Sequence, residues 1–134
     1  MKPNLVEHIG IAVRSLADAI PKYERLLGTP CYAVEEVADQ QVRTAFFRVG
    51  QTKFELLEPT SDEGSLAKFL EKRGEGVHHI ALAVENVGKA LAAIEQNGVQ
   101  LIDSAPRPGA EGLRIAFLHP RSMHGVLIEL CGKE

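Results

Sequence analysis

Four ionisable side chains stand in otherwise apolar stretches of this chain of 134 residues. Two are imidazoles, His8 and His79, and two are carboxylates, Glu55 and Glu129. A carboxylate buried in an apolar strand is costly unless it is paired or binds a cation. Two imidazoles and two carboxylates together suit a divalent metal ion such as Zn, Ni, Co or Mn. These residue types therefore predict metal-ion chemistry.

The four residues occupy equivalent positions in an internal repeat. The segment HIGIAV, which begins at His8, recurs as HIALAV from His79, an offset of 71 residues. Glu55 in FEL corresponds to Glu129 in IEL at an offset of 74. Taken singly, such a histidine is more often a hydrogen-bonded core residue, and such a glutamate more often faces water. Because both types recur in both halves, we predict that pseudo-twofold packing brings all four to one metal ion.

His79 follows directly on another histidine, His78. Neighbouring strand residues point to opposite faces of a sheet, so only one of the two can join His8 in the same geometry. The repeat selects His79. Two further histidines, His119 and His124, fall in a predicted loop, where we interpret them as surface residues or substrate contacts.

Each half of the chain has the pattern of a strand, a helix and three more strands. Both helices end near a glycine, Gly28 and Gly98, and Pro21 predicts that the first helix starts late or bends. A short helix capped by residues 61–63 and a linker at 72–76 join the halves. The predicted strands are 5–13, 31–38, 42–49 and 52–58, with a tight turn at Gly50-Gln51, and 77–84, 99–102, 113–119 and 125–131.

The predicted fold class is therefore α+β, with two βαβββ repeats packed around a shared metal-binding cleft. The modules cover about residues 1–60 and 76–134, and together they form a single domain over residues 1–134. Two such modules each expose one face of a short, curled sheet and can bury it against the other. Ligands tend to bind in clefts of this kind.

Composition and charge exclude several functional classes. A formal net charge of −3 argues against a nucleic-acid partner, and no apolar run is long enough to span a membrane. The first residues lack the apolar region of a signal peptide, which predicts a cytoplasmic location. The two cysteines, Cys31 and Cys131, have no metal-binding spacing and are expected to be reduced thiols.

Several segments resemble the methylmalonyl-CoA epimerase family of the glyoxalase, or vicinal oxygen chelate, superfamily. The most specific are GVHHIA at 76–81, FLHP at 117–120 and GVLIEL at 125–130, and HIGIAV at 8–13 and ELLEP at 55–59 also match. The resemblance covers nearly the whole chain. It implies the paired βαβββ fold, a divalent metal ion (Co, Zn, Ni or Mn), a small-molecule acyl-CoA substrate and a homodimer.

The resemblance also implies an isomerase that interconverts (2R)- and (2S)-methylmalonyl-CoA. A proton is removed and returned at C2 through a metal-stabilised enediolate, with Glu129 as a catalytic acid–base and a metal ligand. Positions matching His8 and His79 also bind the metal, and the position of Glu55 is Gln or Glu in the family. Some members carry a second glutamate where this chain has Thr44, which is no ordinary base. Either another group, such as Glu55 or a metal-bound water, transfers the proton on the second face of the substrate, or the substrate differs.

Three other functions are alternatives to this interpretation. A glyoxalase I-type lyase also uses two histidines and two glutamates, but the HHIA and FLHP segments count against it. An extradiol dioxygenase would use two histidines and one carboxylate around iron, and Glu55 as a fourth ligand disfavours it. A non-catalytic metal- or ligand-binding protein of the resistance type is kept open by Thr44.

Overall fold

The order strand, helix, three strands occurs twice in the computed structural model, which describes residues 1–134. The chain forms two compact units, one of Met1–Glu7 with His79–Glu134 and the other of His8–His78. The predicted α+β class and its repeat are confirmed. The elements are β1 Leu5–Ala12, α1 Leu16–Leu27, β2 Ala33–Val37, β3 Val42–Val49, β4 Thr52–Pro59, α2 Ser65–Arg73, β5 Gly76–Ala83, α3 Val87–Gln96, β6 Arg107–Pro108, β7 Arg114–Leu118 and β8 Ile128–Gly132.

In the His8–His78 unit, the strands lie in the order β2-β3-β4-β1, with β1 parallel to β4 and the other neighbours antiparallel. Alternation sends every second side chain to the face covered by α1. That face holds a core of Val13, Leu16, Ala45, Phe47 and Leu56. The opposite face therefore carries the residues that alternate with these, and His8 and Glu55 are among them.

The other unit repeats this arrangement with the strand order β5-β8-β7-β6. Strand β5 runs parallel to β8, and β7 is antiparallel to both β8 and β6. Helix α3 covers a core that includes Val87, Leu91 and Leu130. A second cluster includes Ile115 and Phe117, which alternate with the helix-facing residues of β7.

Local sequence signals account for most of the element ends. Ser15 caps α1 by accepting a hydrogen bond from the Asp18 N–H, and Gly28 ends the helix in the left-handed conformation. The helix begins at Leu16 and contains Pro21, so the expected late start is wrong. The tight turn between β3 and β4 is confirmed, with Gly50 at a φ of 63°.

The predicted cap of the connecting helix is also wrong. Gly64 is the N-cap residue of α2 and provides no side-chain hydrogen bond. Ser61 instead bonds the Gln41 side chain and accepts a hydrogen bond from the Glu63 N–H. The Ser61 hydroxyl is therefore engaged with Gln41 and with its own loop, and it does not cap the helix. Gly74, at a φ of 78°, ends α2 within the predicted linker.

The sixth strand is the largest departure from the predicted elements. Residues 99–102 contribute only a single bridge, from Leu101 to Leu118, and the strand that pairs with β7 is Arg107–Pro108. The Asp103 carboxylate accepts a hydrogen bond from the Phe117 N–H at 2.8 Å. A side chain thus takes the place of a backbone partner, and the ladder stops.

The last two strands are shorter than predicted. Strand β7 ends at Leu118, and Pro120–Met123 forms a turn of 3-10 helix. His124 and Gly125 follow with positive φ values, so β8 begins only at Ile128. Cys31 and Cys131 are both free thiols, as expected. None of the helices combines the length and apolar character needed to cross a membrane.

Candidate metal centre

The first histidine–glutamate pair lies within the His8–His78 unit. The parallel register of β1 and β4 sets Gly10 opposite Glu55 and His8 opposite Lys53. His8 Nδ1 lies 3.1 Å from Glu55 Oε2, and the two residues are only 5% and 4% exposed. An imidazole and a carboxylate are thus held together in a buried position on the face away from α1.

The second pair lies within the other unit and has the same construction. Ala81 of β5 is opposite Glu129 of β8, and His79 Nε2 lies 3.2 Å from Glu129 Oε1. Both residues are buried. Phe117 packs edge-on against the His79 ring, with the ring centroids 5.5 Å apart. The aromatic ring limits the positions that the imidazole can adopt.

His78 packs elsewhere, as the strand alternation predicts. Its ring meets Phe69 of α2 edge-on, with 4.9 Å between the ring centroids. His79 is the member of the pair that contacts Glu129. His79, and not His78, therefore lies beside Glu129, and its role as a metal ligand stays a prediction.

Lys53 is the residue at this site that the sequence analysis missed. It lies two residues before Glu55 on the same face of β4, and it is 4% exposed. Its Nζ is 3.5 Å from Glu55 Oε2 and 5.7 Å from the centre of the Phe46 ring. A lysine at the alternate position of a strand that holds a buried glutamate was the available signal. The lysine is present in only one half, where the other half has Leu127, so the repeat does not single it out.

The other unit places a cation over the equivalent aromatic ring. Arg107 lies 5.7 Å from the centre of Phe117 and pairs with Asp103 at 3.2 Å. Phe117 is the repeat counterpart of Phe46, at the offset of 71. Unlike Lys53, Arg107 is partly exposed and comes from β6 at the edge of its sheet.

Thr44 lies on the same sheet face as Glu55 and provides no carboxylate there. It is 1% exposed and sits opposite Leu57 of β4, while Phe46 sits opposite Glu55. Its counterpart in the other half is Ile115, which is also buried. The position is thus on the same face as Glu55, and it holds a hydroxyl group.

The two loop histidines lie outside the strands that carry the pairs. His119 Nδ1 accepts a hydrogen bond from the Arg121 N–H at 3.1 Å, so this side chain caps the 3-10 helix. His124 is exposed, with a φ of 55°. Their interpretation as loop residues is confirmed, and His119 has a structural role.

The donor set fits a divalent metal ion. Each unit offers one buried imidazole and one buried carboxylate, His8 with Glu55 in one unit and His79 with Glu129 in the other. Nitrogen and carboxylate ligands suit Zn, Co, Ni and Mn. In each unit the imidazole and the carboxylate are already within 3.2 Å of one another, as two ligands of one ion would be.

We expect His79→Ala and His78→Ala to separate metal binding from packing. His79→Ala should weaken Co²⁺ binding by more than the roughly 10–100-fold that loss of an outer-shell partner costs. His78→Ala should keep the Co²⁺ affinity and lower the unfolding free energy by about 1 kcal/mol, because the contact with Phe69 is lost. Titration calorimetry with Co²⁺ and thermal unfolding measure the two effects. Equal loss of Co²⁺ affinity in both variants would contradict this assignment.

The chain is similar to a known protein family and to several of its members. A family model described as Glyoxalase/Bleomycin resistance protein/Dioxygenase superfamily matches residues 7–117. The chain is 35% identical to "Ethylmalonyl-CoA/methylmalonyl-CoA epimerase" of Cereibacter sphaeroides over 93% of this chain and 95% of that one. It is 47% identical to "Uncharacterized protein YqjC" of Bacillus subtilis (strain 168), over 96% and 91% of the two chains.

Among solved structures, the chain resembles a variant of the methylmalonyl-CoA epimerase of Streptomyces coelicolor in complex with 2-nitronate-propionyl-CoA. The two share 37% sequence identity and a TM-score of 0.94. The match covers 98% of this chain and 95% of the other, so it includes every strand that carries a candidate ligand.

Proposed function

We propose that this chain, which belongs to the methylmalonyl-CoA epimerase family of the glyoxalase superfamily, interconverts the R and S forms of methylmalonyl-CoA. The observation that carries the proposal is the buried histidine–glutamate pair found in each unit. Relatives named as epimerases match nearly the whole chain, which supports the same reaction here. These relatives are isomerases, and we assign the chain to that class.

We propose that His8, Glu55, His79 and Glu129 together hold one divalent ion, Co, Zn, Ni or Mn. The donor types, the burial of all four side chains and their equivalence in the repeat support this ligand set. When bound, the ion supplies Lewis-acid stabilisation of the negative charge that develops on the substrate oxygens as C2 loses its proton.

The proton transfers are assigned to the two carboxylates of the site. Glu129 removes or returns the C2 proton on one face of the substrate, which is the task of a positioned general acid–base. Glu55, its repeat counterpart, acts on the other face. Thr44 is not assigned a proton transfer, because its hydroxyl is not an ordinary base at neutral pH.

We further propose an acyl-CoA as the substrate, in keeping with the 2-nitronate-propionyl-CoA bound by the Streptomyces relative. Burial of the four polar groups suits this chemistry, because electrostatic stabilisation is stronger where water is excluded. A homodimer, a cytoplasmic location and the absence of nucleic-acid or membrane partners remain predictions from the sequence.

Proton exchange at C2 of methylmalonyl-CoA in D₂O, followed by NMR, tests the proposed function. We expect exchange above the uncatalysed background when Co²⁺ is present and little exchange after chelation. His79→Ala serves as the matched control, since it removes a ligand and leaves the adjoining His78 in place. Failure of the Co²⁺-loaded protein to exchange the proton would contradict the proposal.

Thr44 supports a second candidate, a non-catalytic binding protein of the same fold. Its hydroxyl stands in the site face at a position where some family members have a second glutamate. Such a protein would bind Co²⁺ and methylmalonyl-CoA without any C2 exchange. A glyoxalase I-type lyase would also lack the exchange with this substrate and would instead act on the thiol adduct of a 2-oxoaldehyde.

A further inference from the structure

Lys53 is a buried cation that the proposed proton transfers do not use. It lies on β4 with only 4% of its surface exposed, and its Nζ is 3.5 Å from Glu55 Oε2. Long cationic side chains are rarely buried to this extent, because loss of hydration is costly. The residue therefore needs an explanation beyond its place in the strand.

The repeat shows that the fold itself does not need this lysine. At the offset of 74 that relates Glu55 to Glu129, the counterpart of Lys53 is Leu127. In that unit the His79–Glu129 pair forms without a lysine at the matching position. Apolar residues often replace buried ion pairs at no cost in stability. Lys53 thus marks a difference between two otherwise equivalent half-sites.

The contacts of Lys53 indicate how its charge affects the half-site of His8 and Glu55. Glu55 Oε2 is shared between His8 Nδ1 at 3.1 Å and Lys53 Nζ at 3.5 Å. Arg48, which is opposite Lys53 in the register, is exposed and lies over the Tyr32 ring. Of Lys53 and Arg48, it is Lys53 that contacts the buried Glu55 carboxylate.

We propose that Lys53 is a positioning residue whose positive charge, held beside Glu55, sets a preference for carboxylate-bearing acyl thioesters. This inference rests on the proposed function. In the proposed ligand set, a divalent ion balances the two carboxylates, and Lys53 leaves one positive charge at the site. That charge matches the substrate carboxylate, whereas a thioester without a carboxylate gains nothing from it.

A charge-restoring pair of substitutions tests this proposal. Lys53→Met, Glu55→Gln and the double variant are compared with the wild type at saturating Co²⁺, where the Gln amide oxygen can still act as a ligand. Calorimetry measures the affinities for methylmalonyl-CoA and for propionyl-CoA, which lacks the carboxylate. Lys53→Met should lower the preference for methylmalonyl-CoA about tenfold. The double variant has the wild-type charge and should restore the preference.

One control variant is added, and Glu55→Gln serves a second purpose. Lys22→Met removes an exposed lysine from α1 and should leave the preference unchanged. If Lys53→Met does not fold, Glu55→Gln alone remains decisive, because its unbalanced lysine should strengthen the preference. An unchanged preference in Lys53→Met, no recovery in the double variant, or a weaker preference in Glu55→Gln would each overturn the proposal.

Failure of the inference differs from failure of the proposed function. If the chain is not an epimerase, the wild-type protein will show no C2 exchange. A wild type that exchanges the proton and prefers methylmalonyl-CoA, beside a Lys53→Met variant that keeps this preference, would reject only the role of Lys53. A wild type without any preference between the two thioesters would also reject that role.

Discussion

Glu129→Gln is expected to abolish turnover of methylmalonyl-CoA while the protein keeps its fold. The substitution replaces a carboxylate by an amide of nearly the same size, so packing around the buried side chain is preserved. An amide cannot take up the C2 proton, and loss of a general acid–base typically lowers rates about 10²–10⁴-fold. The rate of C2 exchange in D₂O measures the loss, and circular dichroism checks the fold.

Glu58→Gln is the matched control for this prediction. Glu58 is also a strand glutamate, but its carboxylate accepts a hydrogen bond from the Leu16 N–H and pairs with Arg43. We expect this variant to lose a little stability at the start of α1 and to keep its turnover. Exchange by Glu129→Gln within about tenfold of the wild-type rate would contradict the role of Glu129.

The repeat made the fold and much of the site predictable from the sequence. Strand alternation fixes which side chains share a face, so the sequence alone indicates that His79 and His78 point to opposite faces of the sheet. The presence of one candidate histidine and one candidate glutamate in each half followed from their equivalent positions in the repeat, while the contact within each pair is known from the structure. These features depend on local periodicity and on the recurrence of residue types, and the sequence records both directly.

The features that could not be predicted depend on individual side chains whose hydrogen bonds take the place of regular strand pairing or of a helix cap. Asp103 binds the Phe117 N–H and shortens the sixth strand, although residues 99–102 have an apolar pattern. Ser61 bonds Gln41 from a different part of the chain, so it does not cap α2. Such hydrogen bonds depend on distant residues, whose positions the local sequence does not specify.

The departures from the repeat are also where the two half-sites differ chemically. Lys53 and Thr44 stand opposite Leu127 and Ile115 in the alignment of the halves. Both polar residues belong to the His8–His78 unit and are buried on its site face. Positions at which the two halves carry the same residue type thus supply the candidate ligands. Positions at which the halves differ supply a charge and a hydroxyl group.

Phe47→Ala is expected to produce the largest loss of stability with little effect on the site. Phe47 is fully buried on the α1 side of β3, where it packs with Tyr23, while its neighbour Phe46 faces the side of Glu55. Truncation of a buried phenylalanine costs about 3–5 kcal/mol. For a chain of this length, that corresponds to a fall in Tm of roughly 10–20 °C, which thermal unfolding measures.

Two comparisons test whether the two faces of the sheet act independently: the stability of a surface variant, and the Co²⁺ affinity of Phe47→Ala. Val49→Ala, at an exposed position of the same strand, should change the unfolding free energy by no more than about 0.5 kcal/mol. Well below its Tm, Phe47→Ala should bind Co²⁺ with wild-type affinity, because the removed ring contacts the helix side of the sheet. Loss of Co²⁺ binding in the folded variant would mean that packing under α1 controls the metal ligands. The two faces would then not be independent, and the candidate site could not be understood from its own side chains alone.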